Sequence, residues 1–197
     1  QKEFFELPDA AASALTNVKS VADLNGNLFG ANGSDFLSKT KGVLILACGT
    51  SYHAGQLARY WLESIAKVPC VVEIANEYRF RLAMLYPDYL VVAISQSGGT
   101  SDTVAAVEKA KNIGYRYLLS ICNVEQSPLM EMADLQFPTR AGPEIGIAST
   151  KAFVAQLIGL YVLTLTFAKM NKTIDDATLA EALNKLLALP DAIAATL

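Results

Sequence analysis

"VVAISQSGGTSDTV", Val91–Val104, is the stretch whose reading decides the fold. Its first residues are apolar and rich in β-branched side chains, as in a strand buried on both faces. Then come Ser95, Ser97, Thr100, Ser101 and Thr103 around a Gly-Gly pair, followed by helical spacing in Val104, Val107, Ala110 and Lys111 up to Gly114, the expected C-cap. A strand that turns through glycines and hydroxyls into a helix is the front half of a βαβ unit. Such a turn needs one or two of these residues; this one carries many more.

The same pattern repeats on either side. Three further strands are predicted at "GVLILAC" (Gly42–Cys48), "CVVEIAN" (Cys70–Asn76) and "YRYLLSIC" (Tyr115–Cys122), with a weaker fifth at "LQFPT" (Leu135–Thr139). Between the first two, Ala54–Lys67 has helical spacing, with Leu57, Tyr60, Trp61, Ser64 and Ile65 on one stripe. Apolar strands separated by helices predict an α/β fold: a five-stranded parallel sheet with helices on both faces, a flavodoxin-like three-layer sandwich. Residues 1–40 read as a helical arm with a helix near Pro8–Val21 and a Gly/Asn-rich loop. Residues 41–170 read as the sheet domain, with a long helix after Ser149, and residues 171–197 as C-terminal helices broken at Pro190.

Composition narrows the function classes. The chain is 52% hydrophobic and only 18% charged, which is globular rather than disordered, and its net charge of −3 offers no basic surface for nucleic acid or anionic lipid. One histidine and three widely spaced cysteines, Cys48, Cys70 and Cys122, make a Cys/His zinc site untenable and predict reduced, buried thiols in a cytoplasmic protein. No metal and no cofactor are expected. The apolar run Phe153–Ala168 is interrupted by Gln156 and falls short of the about 18 residues of a spanning helix, so it is expected to be a buried core helix. The sequence opens at Gln1 without a signal-peptide pattern and closes at Leu197 within an amphipathic run, which predicts a piece of a longer polypeptide.

Ligands of open parallel sheets bind outside the carboxyl ends of the strands, where the strand order reverses. Three loops qualify: Gly49, Thr50 and Ser51 after the first strand, Ser95–Thr100 after the third, and Gly146–Ser149 at the start of the long helix. Helix N-termini present unpaired N–H groups, small residues let them approach an oxyanion, and hydroxyls add donors. No lysine or arginine lies near Ser95–Thr100, so a phosphate there is expected to be held by neutral donors, each worth about 1.5–3 kcal/mol to a charged group. The competing reading makes these residues N-caps and turn formers. No G-x-G-x-x-G follows a strand, and Ser97 is not a nucleophile elbow because Ser95 stands where its first glycine belongs. His53 reads as a packing residue and Glu144 as a helix-dipole partner.

Five motifs in order, "LACGTSYHAG" (Leu46–Gly55), "IANEYRFR" (Ile74–Arg81), "ISQSGGTSDT" (Ile94–Thr103), "ICNV" (Ile121–Val124) and "AGPEIGIASTKAF" (Ala141–Phe153), closely resemble the first sugar-isomerase (SIS) domain of the glutamine:fructose-6-phosphate aminotransferase family. The resemblance runs the length of the chain, "QKEFFELPDA" looking like the start of that family's isomerase half. It implies a domain that binds fructose 6-phosphate or glucosamine 6-phosphate, with Ser95, Ser97, Thr100 and the backbone of Gln96 on the phosphate. Gly49, Thr50, Ser51, Ile147, Ala148 and Ser149 would line the sugar. It further implies a second SIS domain, a glutaminase domain and a homodimer as partners, with the glutamate base, Schiff-base lysine and ring-opening histidine all in segments other than this one. No catalytic residue is therefore expected here. The family often has S-Q-S-G-E-T where this chain has Gly99 in place of the glutamate. Two other readings stay open: a non-catalytic phosphosugar sensor, and a single-domain sugar-phosphate isomerase using Glu144 or His53 as base.

Overall fold

A computed structural model describes residues 2–146 and 149–197. Five strands, β1 (Gly42–Ala47), β2 (Cys70–Ile74), β3 (Tyr89–Ser95), β4 (Leu118–Cys122) and β5 (Leu135–Pro138), form one all-parallel sheet in the order β2-β1-β3-β4-β5. The order reverses between β1 and β3, the switch point of a doubly wound sheet. In register, Ile45 of β1 lies between Val72 of β2 and Val92 of β3, and Ser95 at the end of β3 pairs with Cys122. Every residue of β1 and β4 is buried, as a sheet covered on both sides requires. The edge strand β5 alternates, with Leu135 and Phe137 buried and Gln136 exposed, and ends on Pro138, whose missing N–H an edge tolerates.

The helices are α1 (Lys2–Phe5), α2 (Leu7–Ala14), α3 (Gly33–Ser38), α4 (Gly49–Ser64), α5 (Ala75–Tyr78), α6 (Ser101–Ile113), α7 (Pro128–Met132), α8 (Lys151–Asn171), α9 (Asp176–Leu187) and α10 (Leu189–Ala194). Alternate strand residues feed two hydrophobic clusters. Val43, Ile45, Val92, Ile94 and Ile121 meet residues of α2, α4, α8 and α9. Leu44, Leu46, Val91, Ala93 and Leu118 meet residues of α5, α6 and α7. Helices thus cover both faces, as expected.

Several local expectations are corrected. The buried side of α4 is its small-residue face, Ala54, Gly55 and Ala58 with Leu62, while Leu57 and Tyr60 on the expected stripe are exposed. Large residues marked the wrong face because the helix lies close to the sheet, and only small side chains fit between. The same helix starts at Gly49, five residues before the expected Ala54, which puts Thr50 and Ser51 in its first turn. β2 stops at Ile74 because Ala75 and Tyr78 turn inward as α5 to fill the second cluster. β4 begins only at Leu118, since the Tyr115 N–H is used on Ala110 at the end of α6. The expected Pro8–Val21 helix is shorter. α2 ends at Ala14, Thr16 bonds back to Ser13, and Asp23 collects the amides of Lys19 and Ser20, local bonds that compete with a helical ladder. α8, with 21 residues, is the long helix expected after Ser149; it extends beyond the apolar run Phe153–Ala168 at both ends and is long and apolar enough to cross a membrane. Instead 67% of its most apolar stretch is buried, so it serves as a core helix.

Candidate functional site

The chain leaves β1 into α4 on one face of the sheet and leaves β3 into α6 on the other, so both helices start above the same crevice. There a cavity of about 180 Å³ is lined by Thr50, Ser51, Ser95, Gln96, Ser97, Thr100 and Ser149, together with Cys48, Ile94 and Thr103. Seven of the ten residues read from sequence therefore come together. Gly49 is not in the lining; it opens α4 with φ +57, the backbone turn that swings Thr50 and Ser51 toward the crevice. Ile147 and Ala148 lie outside the described residues. At this volume, below the about 300 Å³ of pockets for drug-sized ligands, the space suits a compact polar group.

The hydroxyls are arranged as donors. Ser95, buried at the end of β3, accepts the Gly98 N–H at 3.0 Å and stands 3.2 Å from the Thr100 hydroxyl. Ser97 accepts the Gly99 N–H at 3.2 Å. Their oxygens thus fold the turn, as the turn-former reading expected, while the Ser97 hydrogen and one hydrogen of the Ser95–Thr100 pair remain to donate. The N-cap reading fares differently. Thr100 is the N-cap of α6 and Cys48 that of α4, and neither side chain bonds to its helix start. The first-turn N–H groups of both helices are left for another acceptor.

Gly98 shapes the turn. It has φ +66, and a Cβ there would lie 2.0 Å from Ser127 Oγ and 2.6 Å from Cys122 Sγ. Gly99, where the family often has glutamate, is outside the left-handed region, and a Cβ would meet nothing within 4 Å.

Among the described residues none of the cavity lining is ionised at neutral pH by type. Asp102 in the first turn of α6 is taken by Arg79 at 2.6 Å. Glu144 accepts from Ser149 Oγ at 3.0 Å, Thr150 N at 2.8 Å and Ala152 N at 3.3 Å, making it the cap of α8 and fulfilling the dipole role. Lys151, buried, pairs with Glu6. His53 is exposed, edge-on to Tyr52, and outside the lining.

Three lining residues were missed: Cys48, Thr103 and Ile94, a buried residue of β3. Thr103 sits one turn after Thr100 and donates to Cys48 Sγ at 3.8 Å, and that i, i+3 hydroxyl spacing was the available signal. Cys48, expected to be a buried structural thiol, is partly exposed and lines the cavity because the β1 strand ends one residue before it. The expectation holds for the other two: burial pushes the Cys70 thiol up to about 12 and raises that of Cys122. Larger hollows, of about 450 Å³ around Tyr86, Tyr89 and Tyr115 and about 710 Å³ beside α1 and α2, share no lining residue with this cavity.

Comparison with known proteins bears on the family and the fold. A protein-family model described as "SIS domain" matches residues 36–166. Glutamine–fructose-6-phosphate aminotransferase (isomerizing) of Idiomarina loihiensis is 52% identical over 168 residues, covering 85% of this chain and 28% of that protein. The protein of the same name from Bordetella parapertussis is 46% identical over all 197 residues, 32% of its length. The chain thus spans about a third of these curated relatives. The C-terminal domain of glucosamine-fructose-6-phosphate aminotransferase from Francisella tularensis matches with a TM-score of 0.90 at 40% identity, over 96% of this chain and 53% of that one. Tagatose-6-phosphate ketose/aldose isomerase from Escherichia coli, at 21% identity over 98% of this chain and 52% of that one, shares the fold with a TM-score of 0.69. By its strand order, its hydroxyl-lined switch point and the family match across both, the chain belongs to the SIS domain family.

Proposed function

We propose that this chain is the phosphosugar-binding half of the isomerase region of an amidotransferase that forms glucosamine 6-phosphate from fructose 6-phosphate and glutamine. One observation carries the reading: the hydroxyls of Ser95, Ser97 and Thr100 and the uncapped first turns of α4 and α6 converge on one small cavity without charged lining. A phosphate there receives the free hydroxyl hydrogens, the Gln96 backbone and first-turn amides. Thr50, Ser51 and Ser149, with Gly49, Ile147 and Ala148 by resemblance, border the sugar. Neutral donors of this kind support micromolar to millimolar binding, about 4–8 kcal/mol.

Catalysis belongs to other segments of the full enzyme. Glu144 is occupied with the start of α8 and His53 stands outside the cavity, so neither is set to act as base. The partners are a second SIS domain, a glutaminase domain and a second copy in a homodimer, in the cytoplasm, where the free cysteines stay reduced. In the test, fructose 6-phosphate shifts the amide resonances of Ser95–Thr100 while unphosphorylated fructose does not, and the 197-residue chain alone shows no turnover. Equal shifts with both sugars, or none with either, sink the binding reading. Robust isomerisation by the chain alone sinks the division of labour.

A further inference from the structure

The segment between β5 and α8 forms no helix or strand among its described residues, yet its Ser149 lines the cavity. Its first half is fixed to the end of β4 by Asn123, which donates to the Gly142 carbonyl at 2.8 Å and accepts the Ala141 N–H at 2.6 Å. Its second half is held from two sides by carboxylates. Glu144 gathers Ser149, Thr150 and Ala152 on the α8 side. From the opposite side Glu3 of α1, distant in sequence, accepts the N–H groups of Ile145 at 2.6 Å and Gly146 at 3.0 Å through one oxygen, Oε1. Glu6, between α1 and α2, adds an ion pair to Lys151, the first residue of α8, whose side chain is only 4% exposed. An ammonium buried that far needs such a partner.

No residue of α1 is buried, so completing the core does not explain why α1 is there. Its acidic side chain instead meets the two backbone amides that lead into the sugar-facing end of the loop. We propose that Glu3 is a positioning residue for the phosphosugar site, its carboxylate pinning Ile145 and Gly146 so that the seat of α1 sets where Ser149 meets the ligand. This rests on the phosphosugar reading above. Glu3 touches no ligand itself. It acts through the backbone, and the neighbouring Glu6–Lys151 pair fixes the same helices to the same loop.

The test compares Glu3→Ala and Glu3→Gln with the unsubstituted protein, each kept intact, by fructose 6-phosphate calorimetry, backbone amide exchange and urea unfolding. Glu3→Ala is expected to weaken binding about three- to tenfold, the range of one ordinary net hydrogen bond, and to speed exchange at Ile145, Gly146 and Thr150, with the unfolding midpoint unchanged. Glu3→Gln retains a carbonyl oxygen able to take both N–H bonds and is expected to restore most of the affinity and protection. Wild-type affinity in Glu3→Ala, or a Glu3→Gln variant as weak as alanine, overturns the proposal. If the unsubstituted protein does not bind the sugar phosphate, the phosphosugar reading fails and exchange alone decides the tether: unchanged protection at Ile145 and Gly146 in Glu3→Ala overturns it.

Discussion

Replacing Gly98 with alanine probes the backbone on which the hydroxyl cradle is built. At φ +66 an L-residue costs about 1–2 kcal/mol through the clash of its Cβ with the backbone. The added methyl also falls 2.0 Å from Ser127 Oγ, 2.5 Å from Ser127 Cβ and 2.6 Å from Cys122 Sγ, all in packed surroundings where both neighbours are buried. Overpacking of that kind costs about 1–3 kcal/mol. The sum is a loss of about 2–5 kcal/mol, a large share of the about 5–15 kcal/mol that holds a domain together. With a urea slope of about 2 kcal/mol per M, the midpoint should fall by about 1–2.5 M. Gly99→Ala is the control one residue away: its site is open and outside the left-handed region, so stability should hold or rise by about 0.4–1 kcal/mol. Adding Ser127→Gly to Gly98→Ala should recover the share of the steric cost that falls on Ser127 and leave the contact with Cys122 Sγ and the backbone part. Equal midpoints for Gly98→Ala and Gly99→Ala would refute the reasoning.

Three further outcomes follow from the same geometry. Ser97→Ala removes an exposed hydroxyl whose oxygen only organises the turn, so unfolding should stay within about 0.5 kcal/mol. Fructose 6-phosphate calorimetry on that variant should show about 1.5–3 kcal/mol of lost binding, and unchanged affinity would remove Ser97 from the phosphate contacts. A thiol reagent should label Cys48 before the buried Cys70 and Cys122, with the sugar phosphate slowing only the first; peptide mass spectrometry reads both. The folded state holds the Cys70 proton to about pH 12, against an unfolded value near 9.0, so it binds more protons than the unfolded chain between the two. The stability this contributes is complete below pH 9 and is lost as pH rises toward 12, and Cys70→Ala should flatten that alkaline limb in urea titrations.

What was legible in the sequence is what depends on local pattern. The end of β3 was legible because an unbroken apolar run meets Ser95 and a hydroxyl-rich turn, and its neighbours were legible as strands, though not in their bounds, for the same reason. Gly114 could be read as the end of α6 since its left-handed backbone is one that glycine accepts freely. The face of α4 was not legible, because burial there is decided by closeness to β1 and β2 rather than by side-chain size: a Cβ on Gly55 would lie 2.9 Å from Ile45. The lining roles of Cys48 and Thr103 depend on how α4 and α6, from opposite faces, meet above the sheet; the i, i+3 spacing of Thr100 and Thr103 marks a shared helix face but not what that face meets. Glu3 was illegible for the strongest reason, since its partners Ile145 and Gly146 are backbone amides on the far side of the sequence.

The distribution of charge explains why the cradle is made of hydroxyls. Ionised side chains near the three loops are committed elsewhere: Arg79 and Asp102 to each other, Arg140 to Glu125, Glu144 to the start of α8, Lys151 to Glu6, and Glu3 to the loop backbone. Directed at the ligand, a cation here would tighten the grip, since hydrogen bonds to charged groups gain strength when both partners are ionised. Taking Arg79 for that purpose would also leave Asp102 unpaired in a partly buried position, which is unfavourable. With charges spent on geometry, the ligand meets neutral donors and helix-start amides that are fixed before it arrives and need little reorganisation. On the proposed reading such a site would hold a dianion firmly enough to orient it and weakly enough to release it, as a domain that positions a substrate for groups supplied from elsewhere requires. Gly99 fits this logic: with Arg79 already matched by Asp102, the α6 start retains a carboxylate without the one that the family often places at that position.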